Sequence, residues 1–459
     1  MSIKNIDTSA QIPEKISDKL ERVSFNSVRK TLPETAIVRA CRAAGYSYRK
    51  RKITPIVTVL HMIMAAIWPE DSFNASWQVL WASLVSRFPN LSGQSPSRGR
   101  VSQARARLPL KPWRFLFEWI SKKAQELSTA FDKWRGHRVV LLDGTCVSMS
   151  DRPELFKEFD TNTGFHGRGK YPLARLVTLC MAHTMTVIGY VLGRYDHDEN
   201  TLARPLLKIL KKGDLLVADR HFAAAHFYYY YKSLGLQFLT RSHQCLKISR
   251  IKCVKSYSQD DFIGWLKINK HYRQKDPKLP AKIMVRFIKA TIRIRGEHKV
   301  VWLVTSLLDN KLYPASEIVG LYGKRWRIEI LFKAVKINLS ADVLRSLSAD
   351  GIRKEIAARL IAVNVVRMIM LEAAIKHNVD PMRISFVYAV RAIVSFSPAF
   401  ASEPIWKLPS IYQAMLTEIA AHLVPERAGR NEPRAVRRER QHYPSLKITR
   451  EQWRKRYAA

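Results

Sequence analysis

Two short apolar runs, each followed at once by an aspartate, constrain the fold of this chain more than any other feature. Residues 139–142 precede Asp143, and residues 215–218 precede Asp219. Such runs are typical of central strands that an α/β sheet buries on both faces, and the carboxyl ends of these strands open onto the crevice where ligands bind. The pattern predicts two carboxylates at one sheet edge, where they could share a cation. Either aspartate alone is more typical of a residue that caps the next turn or helix.

The segment around both aspartates has the alternating pattern of an α/β layer, from residue 138 to about residue 243. Apolar runs of strand length alternate there with stretches whose apolar residues recur at helical spacing. The predicted strands are 139–143, 175–182, 187–194, 215–219 and 237–240, and the predicted helices are 201–211 and 223–234.

The segments on either side of this layer have different patterns. Residues 1–134 carry apolar residues at helical spacing and several tryptophans, which predicts a helical N-terminal region. Residues 247–308 return to strand-like runs and predict a β-rich insertion. The chain is helical again after Ser316 and ends in a basic, proline-containing tail. The runs behind these predictions are 282–294 and 300–307 for strands, 269–278 for a polar separator, 352–377 for a helix and 425–456 for the tail.

Targeting and membrane signals are not evident in the sequence. The longest apolar stretch, 53–68, is shorter than the roughly 20 residues of a membrane span and contains Pro55 and His61, so we expect a buried helix. Residues 1–19 are polar and mixed in charge, unlike a secretory signal or a transit peptide. We therefore expect no membrane association and a cytoplasmic location.

The five cysteines are scattered without a CxxC pair, which suits a reducing compartment. His243, Cys245 and Cys253 could share a zinc ion. That spacing matches no common ligand pattern, so ordinary core or surface roles are favoured for all three residues.

The charge balance indicates a polyanionic partner. The chain has 78 lysines and arginines against 38 aspartates and glutamates, a formal net charge of +40. This excess goes far beyond what solubility needs, and nucleic acid is the first candidate. An acidic membrane surface is the second, but the sequence carries no lipidation signal or amphipathic basic helix to accompany it.

Three basic segments are candidate DNA contacts. A solvated basic face is the alternative for the first two, and a disordered solubilising tail is the alternative for the third. The first interleaves rings with cations, the second lies on or before a predicted short helix around Ser102, and the third belongs to the tail. Their residues are Tyr46, Tyr48, Arg49, Lys50, Arg51 and Lys52; Arg98, Arg100, Arg105 and Arg107; and Arg434, Arg437, Arg438, Arg440, Arg454, Lys455 and Arg456.

A polar stripe on one predicted helix adds a third carboxylate. At about 100° per residue, its four members fall within an arc of roughly 60°. A neighbouring apolar stripe predicts that this helix packs on the sheet, with the polar stripe along the margin of the core. The alternative is a solvated face with Arg–Glu and Glu–Lys pairing. The polar stripe consists of Tyr322, Arg325, Glu329 and Lys336, and the apolar stripe consists of Leu321, Ile328, Phe332 and Val335.

With these motifs the chain resembles the insertion-sequence-four family of DDE transposases. The resemblance covers at least residues 138–354, and the helical N-terminus and basic tail also look like those of the family. His221 departs from the glycine often seen in the second acidic motif, which leaves the local turn open. The similar motifs are Asp143-Gly144-Thr145, then Asp219-Arg220-His221-Phe222, then Tyr322-x2-Arg325-x3-Glu329-x6-Lys336, with a strand-rich segment before the last.

The resemblance implies an α/β fold with a ribonuclease-H-like catalytic core in two parts, 135–246 and 309–378. The β-rich insertion 247–308 would interrupt this core, between the helical DNA-binding region 1–134 and the helical, basic region 379–459. Hard cations prefer oxygen ligands, and the family's acidic residues bind two Mg2+ ions, with Mn2+ able to substitute.

The resemblance also implies roles for individual residues. Asp143, Asp219 and Glu329 would bind the metal ions. In members that cut through a DNA hairpin, a tryptophan of the insertion stacks on a flipped base, and Trp302 lies at a similar distance before the signature. An ordinary core tryptophan is the alternative. Donors to DNA phosphates would be Tyr322, Arg325 and Lys336, with Arg220 as a further DNA contact.

The implied reaction is nicking at each element end, hairpin formation and reopening, then strand transfer into target DNA. The implied partners are double-stranded DNA, as terminal inverted repeats and target, and a second subunit in a paired-end complex at the nucleoid. A metal-dependent nuclease without strand transfer and a noncatalytic DNA-binding protein derived from a transposase are the open alternatives. A haloacid-type phosphatase would need a second aspartate where Thr145 stands.

Overall fold

A computed structural model describes residues 26–49, 51–68, 72–87, 95–129, 131, 133–164, 167–294, 297–339, 341–425, 452, 455 and 456 of the chain. The chain divides into two compact units, Met1–Leu423 and Val424–Ala459. The strands, all in the first unit, are β1 (Lys133–Trp134), β2 (His137–Met149), β3 (Thr163–Gly164), β4 (Gly167–Arg168), β5 (Leu173–Met181), β6 (Val187–Arg194), β7 (Leu215–Ala218), β8 (Gln237–Arg241), β9 (Lys252–Ser258), β10 (Asp261–Lys267), β11 (Lys282–Ile294), β12 (Glu297–Thr305) and β13 (Val343–Leu344).

Most of these strands form one eleven-stranded mixed sheet, in the order β6-β5-β2-β7-β8-β12-β11-β10-β9, with β1 and β13 also paired to β2. The β5–β6 hairpin makes β6, β5 and β2 antiparallel. Helical crossovers lead into β7 and β8, and these strands run parallel to β2 and to each other. The predicted α/β layer is confirmed.

Helices cover both faces of the sheet. The 29-residue α13 is buried along most of its length, and α3 is buried at every residue except Ala65, as predicted. No helix within the described ranges is long and apolar enough to cross a membrane. The α-helices are α1 (Asn26–Arg29), α2 (Glu34–Ala43), α3 (Pro55–Ile67), α4 (Phe73–Arg87), α5 (Arg98–Arg107), α6 (Leu110–Ser128), α7 (Pro153–Phe159), α8 (Glu199–Leu207), α9 (Ala225–Ser233), α10 (Lys270–Lys275), α11 (Ala315–Gly323), α12 (Arg327–Lys333), α13 (Ala349–His377), α14 (Phe386–Ser402) and α15 (Leu408–Ala421).

The central strands separate two hydrophobic cores, because successive side chains of a strand point to opposite faces. Leu141 and Val217 enter the larger core, to which α13 contributes. Leu142 and Ala218 enter a second core, which α8 and α9 cover. All of β7 and residues 139–142 of β2 are buried, as expected of strands covered on both faces.

The strands of the 247–308 segment extend the same sheet. β12 pairs antiparallel with β8, and β11, β10 and β9 follow as a meander. A buried ion pair fixes this extension: Arg286 Nε donates to Asp261 Oδ1 at 2.7 Å. The same guanidinium donates to the carbonyls of Leu307 and Tyr313, which lead back to the next helices. The polar stretch 269–278 contains α10, which the sequence analysis did not predict.

Candidate active site

Asp143 lies inside β2, so the prediction that it ends its strand was wrong. The antiparallel ladder with β5 carries β2 on as far as Ser148, opposite Leu173. The parallel ladder with β7 does stop at Leu142, opposite Ala218. Asp143 is therefore the first residue beyond the parallel pairing, and Asp219 directly follows the neighbouring strand.

Both aspartates share one face of the sheet. Asp143 lies two residues after Leu141, and Asp219 lies two residues after Val217. Residues two apart in a strand point to the same face, so each aspartate lies on the face of a residue that enters the larger core. Asp143 Oδ1 accepts a hydrogen bond from Gly144 N at 2.8 Å. The carboxylate of Asp219 accepts one from Arg220 N at the start of a 3-10 turn, Arg220–Phe222. Asp219 thus also caps the following turn, which was the alternative role predicted for a strand-end aspartate.

The predicted helix with the polar stripe is not one regular α-helix. It consists of α11, a 3-10 turn (Lys324–Trp326), α12 and a π-helical turn (Ala334–Asn338). A 3-10 turn overwinds the helix and a π turn underwinds it, so the two irregularities partly offset each other. The predicted apolar stripe is confirmed, since Leu321, Ile328, Phe332 and Val335 are all buried.

The four residues of the polar stripe still face the part of β2 that carries Asp143. Arg325 Nη1 lies 3.5 Å from Asp143 Oδ2, and Arg325 Nη2 lies 3.6 Å from Glu329 Oε1. Lys336 Nζ donates to Thr145 Oγ1 at 3.3 Å, two residues beyond Asp143. Tyr322 is buried, and burial raises the pKa of its hydroxyl to about 12, so it remains a hydrogen-bond donor.

Asp219 lies within electrostatic range of both other predicted carboxylates, Asp143 and Glu329. Burial raises the pKa of Asp143 to about 6; Gly144 N–H and Arg325 oppose this rise, and Asp219 and Glu199 add to it. Burial also raises the pKa of Glu329, against the effect of Arg325, with a further contribution from Asp219. Burial and the neighbouring Asp219 thus both disfavour the charged forms of Asp143 and Glu329.

This group of carboxylate oxygens suits a hard divalent cation. The side chains are nonetheless not assembled into a finished metal cluster: within the described part of the chain, no three His, Cys, Asp or Glu residues are grouped closely enough to hold an ion. The zinc site considered for His243, Cys245 and Cys253 is likewise not assembled among the described residues. The guanidinium of Arg325 occupies the space between Asp143 and Glu329, where it supplies the positive charge.

Two further residues belong to the site and were not predicted. Arg241 ends β8, beside β7, and its Nη2 lies 3.5 Å from Asp219 Oδ1. The sequence feature that could have indicated Arg241 is its position directly after the predicted strand 237–240. Glu199, at the start of α8, pairs with Arg175 at 2.7 Å and lies against Gly144. A Cβ on Gly144 would approach Glu199 Cδ to 2.6 Å, so a larger residue there would force the Glu199 carboxylate to move.

The remaining predicted DNA contacts lie elsewhere. Trp302 belongs to the second core, on the sheet face opposite the carboxylates, and its ring meets Phe262 edge-on at 5.8 Å. Arg220 is exposed and donates to Gln244. Arg105 packs inward, with its guanidinium 3.9 Å from the centre of the Phe73 ring.

Arg49 and Arg51 are exposed in the segment between α2 and α3. In the basic tail, Lys455 and Arg456 are exposed and helical. The other predicted tail contacts lie outside the described residues, and these are Arg434, Arg437, Arg438, Arg440 and Arg454.

Known proteins match this chain across the site. A family model described as a transposase DDE domain matches residues 134–365, just over half of the chain. The transposase InsG of insertion sequence element IS4, from Escherichia coli (strain K12), is 25% identical over 358 residues, which cover 75% of this chain and 77% of that protein. The putative transposase InsZ of the same organism is 27% identical over 127 residues, 28% of this chain and 42% of that protein.

A cryo-EM structure of a piggyBac transposase synaptic complex with hairpin DNA covers 88% of this chain and 85% of its own, at 10% identity and a TM-score of 0.41. That likeness is too distant to carry an argument. The family model, in contrast, includes Asp143, Asp219 and Glu329 and the helical segment that bears the polar stripe. The chain belongs to the DDE transposases, in the family of the IS4 element's transposase, and is an enzyme of DNA phosphoryl transfer.

Proposed function

We propose that this transposase cleaves DNA at the two ends of an insertion sequence and joins the freed ends to target DNA. Asp143, Asp219 and Glu329 would hold two divalent ions, Mg2+ with Mn2+ able to substitute. One observation carries the proposal: carboxylates from three separate segments lie near one another, since Asp219 is within electrostatic range of both Asp143 and Glu329, and Arg325 contacts these two residues. Charged carboxylates this close together need compensating cations; Arg325 and Arg241 supply them in the metal-free protein, and bound divalent ions would take over that role.

The strand arrangement supports a ribonuclease-H-like core formed by residues 135–246 and 309–378. Antiparallel β6, β5 and β2 followed by parallel β7 and β8 is the order expected of that core, with one acidic residue on the central strand and the next after its parallel neighbour. The strands of 247–308 continue from β8 and enter as an insertion between the two parts. Residues 1–134 and 379–459 would be the flanking helical regions.

The side chains around the carboxylates are suited to holding DNA. When bound, the ions would activate the attacking water or 3'-hydroxyl and stabilise the leaving oxygen. Arg325 and Lys336 supply cations, and the protonated Tyr322 supplies a neutral donor, for the phosphates beside the cut. Arg241 adds a fourth donor next to Asp219. Arg220, exposed and one residue beyond Asp219, would contact the backbone farther along.

The proposed route runs from nicks at both ends through a hairpin to strand transfer. Because two ends must react together, a dimer holding both is the expected assembly, acting at the nucleoid in the cytoplasm. The contact between Trp302 and Phe262 supports an ordinary core role for this tryptophan. The hairpin step is therefore proposed without a part for Trp302.

The test is a reaction on supercoiled DNA that carries both flanks of the gene as paired ends, with Mg2+. The protein should give ends joined to target, and Asp143→Ala should bind the same DNA with unchanged affinity and give no product. Glu154→Gln, an exposed carboxylate on α7, is the control and should react like the unaltered protein. Nicks without joining would indicate a nuclease, and binding without cleavage would indicate a noncatalytic DNA-binding protein.

A further inference from the structure

A cavity in the N-terminal helical region unites two basic segments that lie far apart in the sequence. Its volume is about 240 Å3, and its walls come from the chain between α2 and α3, the first turn of α3 and the last turn of α5. Buried Ile53 and Leu108 form part of its lining. Pro55 and Ala104 also line it, and the other lining residues are polar, so the cavity is a site for a polar ligand rather than a defect in core packing.

Three arginines, Arg49, Arg51 and Arg107, line this cavity, and all three are exposed. Within the described residues, no carboxylate forms an ion pair with any of them. Burial raises the pKa of Tyr46, and Arg107 and Arg51 both oppose the rise, which places the two guanidinium groups near its hydroxyl. Uncompensated positive charge thus converges on one concave surface, and planar guanidinium groups suit phosphate oxygens.

Backbone and aromatic groups add to the same preference. Pro55 and Thr58, in the first turn of the 13-residue α3, line the cavity, so the positive end of this helix dipole faces it. Tyr46 and Tyr48 stack with their ring centres 5.9 Å apart. Tyr48 is 37% exposed, and its ring is an apolar surface of the kind that packs against a sugar beside an anion.

We propose that this cavity binds one phosphodiester of DNA, with Arg51 and Arg107 sharing a single phosphate, Arg49 lining the same cavity and Tyr48 lying against the adjoining sugar. The proposal rests on the proposed function only in taking DNA as the substrate. It assigns Arg107, rather than the inward-facing Arg105, as the DNA contact of the second basic segment. The contact is to the backbone and therefore carries no sequence preference.

The salt dependence of binding tests this sharing. For B-DNA the slope of log K against log salt changes by about 0.9 for each phosphate neutralised. Full-length protein without divalent ions is titrated with a duplex element end, as wild type, Arg51→Ala, Arg107→Ala and the double variant. The double variant should lose about 0.9 in slope, and its loss of affinity should be clearly smaller than the product of the two single losses.

Arg39→Ala with Arg42→Ala is the matched control, because it removes two exposed arginines of α2 that lie outside the cavity. The cavity pair should weaken binding at least about tenfold more than this control, a difference of about 1.4 kcal/mol. A slope change of about 1.8 with fully multiplicative losses would mean two separate surface contacts and overturn the proposal. An effect equal to the control would also overturn it.

Free inorganic phosphate is the other ligand that could bind the cavity through the same oxygen atoms. Calorimetric titration with inorganic phosphate that is abolished by the double variant, while DNA binding is unchanged, would assign the cavity to free phosphate and contradict the proposal. The proposed function has a separate readout, which is Mg2+-dependent cleavage by the wild type at saturating DNA. Its failure would leave the salt-slope result intact, and a negative salt-slope result would leave cleavage intact.

Discussion

The guanidinium of Arg325 lies 3.5 Å from the Asp143 carboxylate and joins two segments 182 residues apart. The side chain of Arg325 is only 8% exposed and that of Asp143 19%, so water compensates neither charge fully. The same guanidinium reaches Glu329, which is half exposed. In the metal-free protein, Arg325 thus supplies the positive charge beside the carboxylates of Asp143 and Glu329.

Arg325→Ala should destabilise the metal-free protein by about 2 kcal/mol, less than the 3–5 kcal/mol of a fully buried pair because Glu329 remains partly solvated. Mg2+ should then raise the free energy of unfolding of the variant more than that of the wild type, since the ion meets no competing guanidinium. Urea titrations with and without Mg2+ measure both effects. Arg327→Ala, whose guanidinium contacts the Ala182 carbonyl instead, is the control. An equal Mg2+ effect on both variants contradicts the interpretation.

Asp143→Asn should stabilise the metal-free protein at neutral pH. The folded-state pKa of about 6, against 3.8 ordinarily, corresponds to about 3 kcal/mol. Because this pKa is raised, protonated Asp143 contributes its full stability to the folded protein below about pH 4. This contribution is lost as the pH rises through about 6 and Asp143 ionises. The difference in unfolding free energy between variant and wild type should therefore grow over that interval. Urea titrations at pH 4 and pH 7.5 test this, and a constant difference would show that burial of the charge is not costly.

Gly144→Ala should cost about 1–2 kcal/mol, because the new Cβ forces Glu199 away from Arg175 and breaks a half-buried ion pair. In a Glu199→Ala background the same substitution should cost far less, so the two changes are not additive. Gly320→Ala is the control: it lies in α11 with open space at the Cβ position and should stabilise by up to about 1 kcal/mol. Additive losses in the Gly144 and Glu199 variants would exclude this contact as the cause.

Arg286→Met should cost about 3–5 kcal/mol, because it leaves Asp261 as an uncompensated buried charge. Combining it with Asp261→Leu should recover most of that loss. Urea unfolding gives the magnitude, and hydrogen exchange should show that β10 and β11 open before the rest of the sheet. A single variant as stable as the wild type would mean that the pair does not anchor these strands.

The sequence was informative where one local pattern determined the structure. Residues 187–194 and 282–294 were predicted as strands with the bounds that the structure has. The apolar runs before Asp143 and Asp219 indicated buried parallel neighbours, because only strands covered on both faces are so completely apolar. The apolar stripe of the helical segment was also predictable, since small irregularities do not remove a wide stripe.

Features set by distant partners were not predictable. β2 continues past Asp143 because β5 pairs with it, and no local signal announces that partner. The 3-10 and π turns around α12 interrupt a segment whose residue spacing indicated one regular helix. Arg241 belongs to the site only because β8 lies beside β7. In contrast, α10 was detectable, since Asn269 caps it by accepting from His271 N at 2.9 Å.

The central claim is that Asp143, Asp219 and Glu329 together bind divalent ions, and Mn2+ binding followed by electron paramagnetic resonance tests it most directly. Wild-type protein, Asp143→Asn, Asp219→Asn, Glu329→Gln and the control Glu154→Gln would each be titrated with Mn2+ in the presence of an uncleavable DNA end. The account predicts that each of the three site variants loses at least about tenfold in Mn2+ affinity and that the control matches the wild type. Site variants that bind Mn2+ as tightly as the wild type would contradict it.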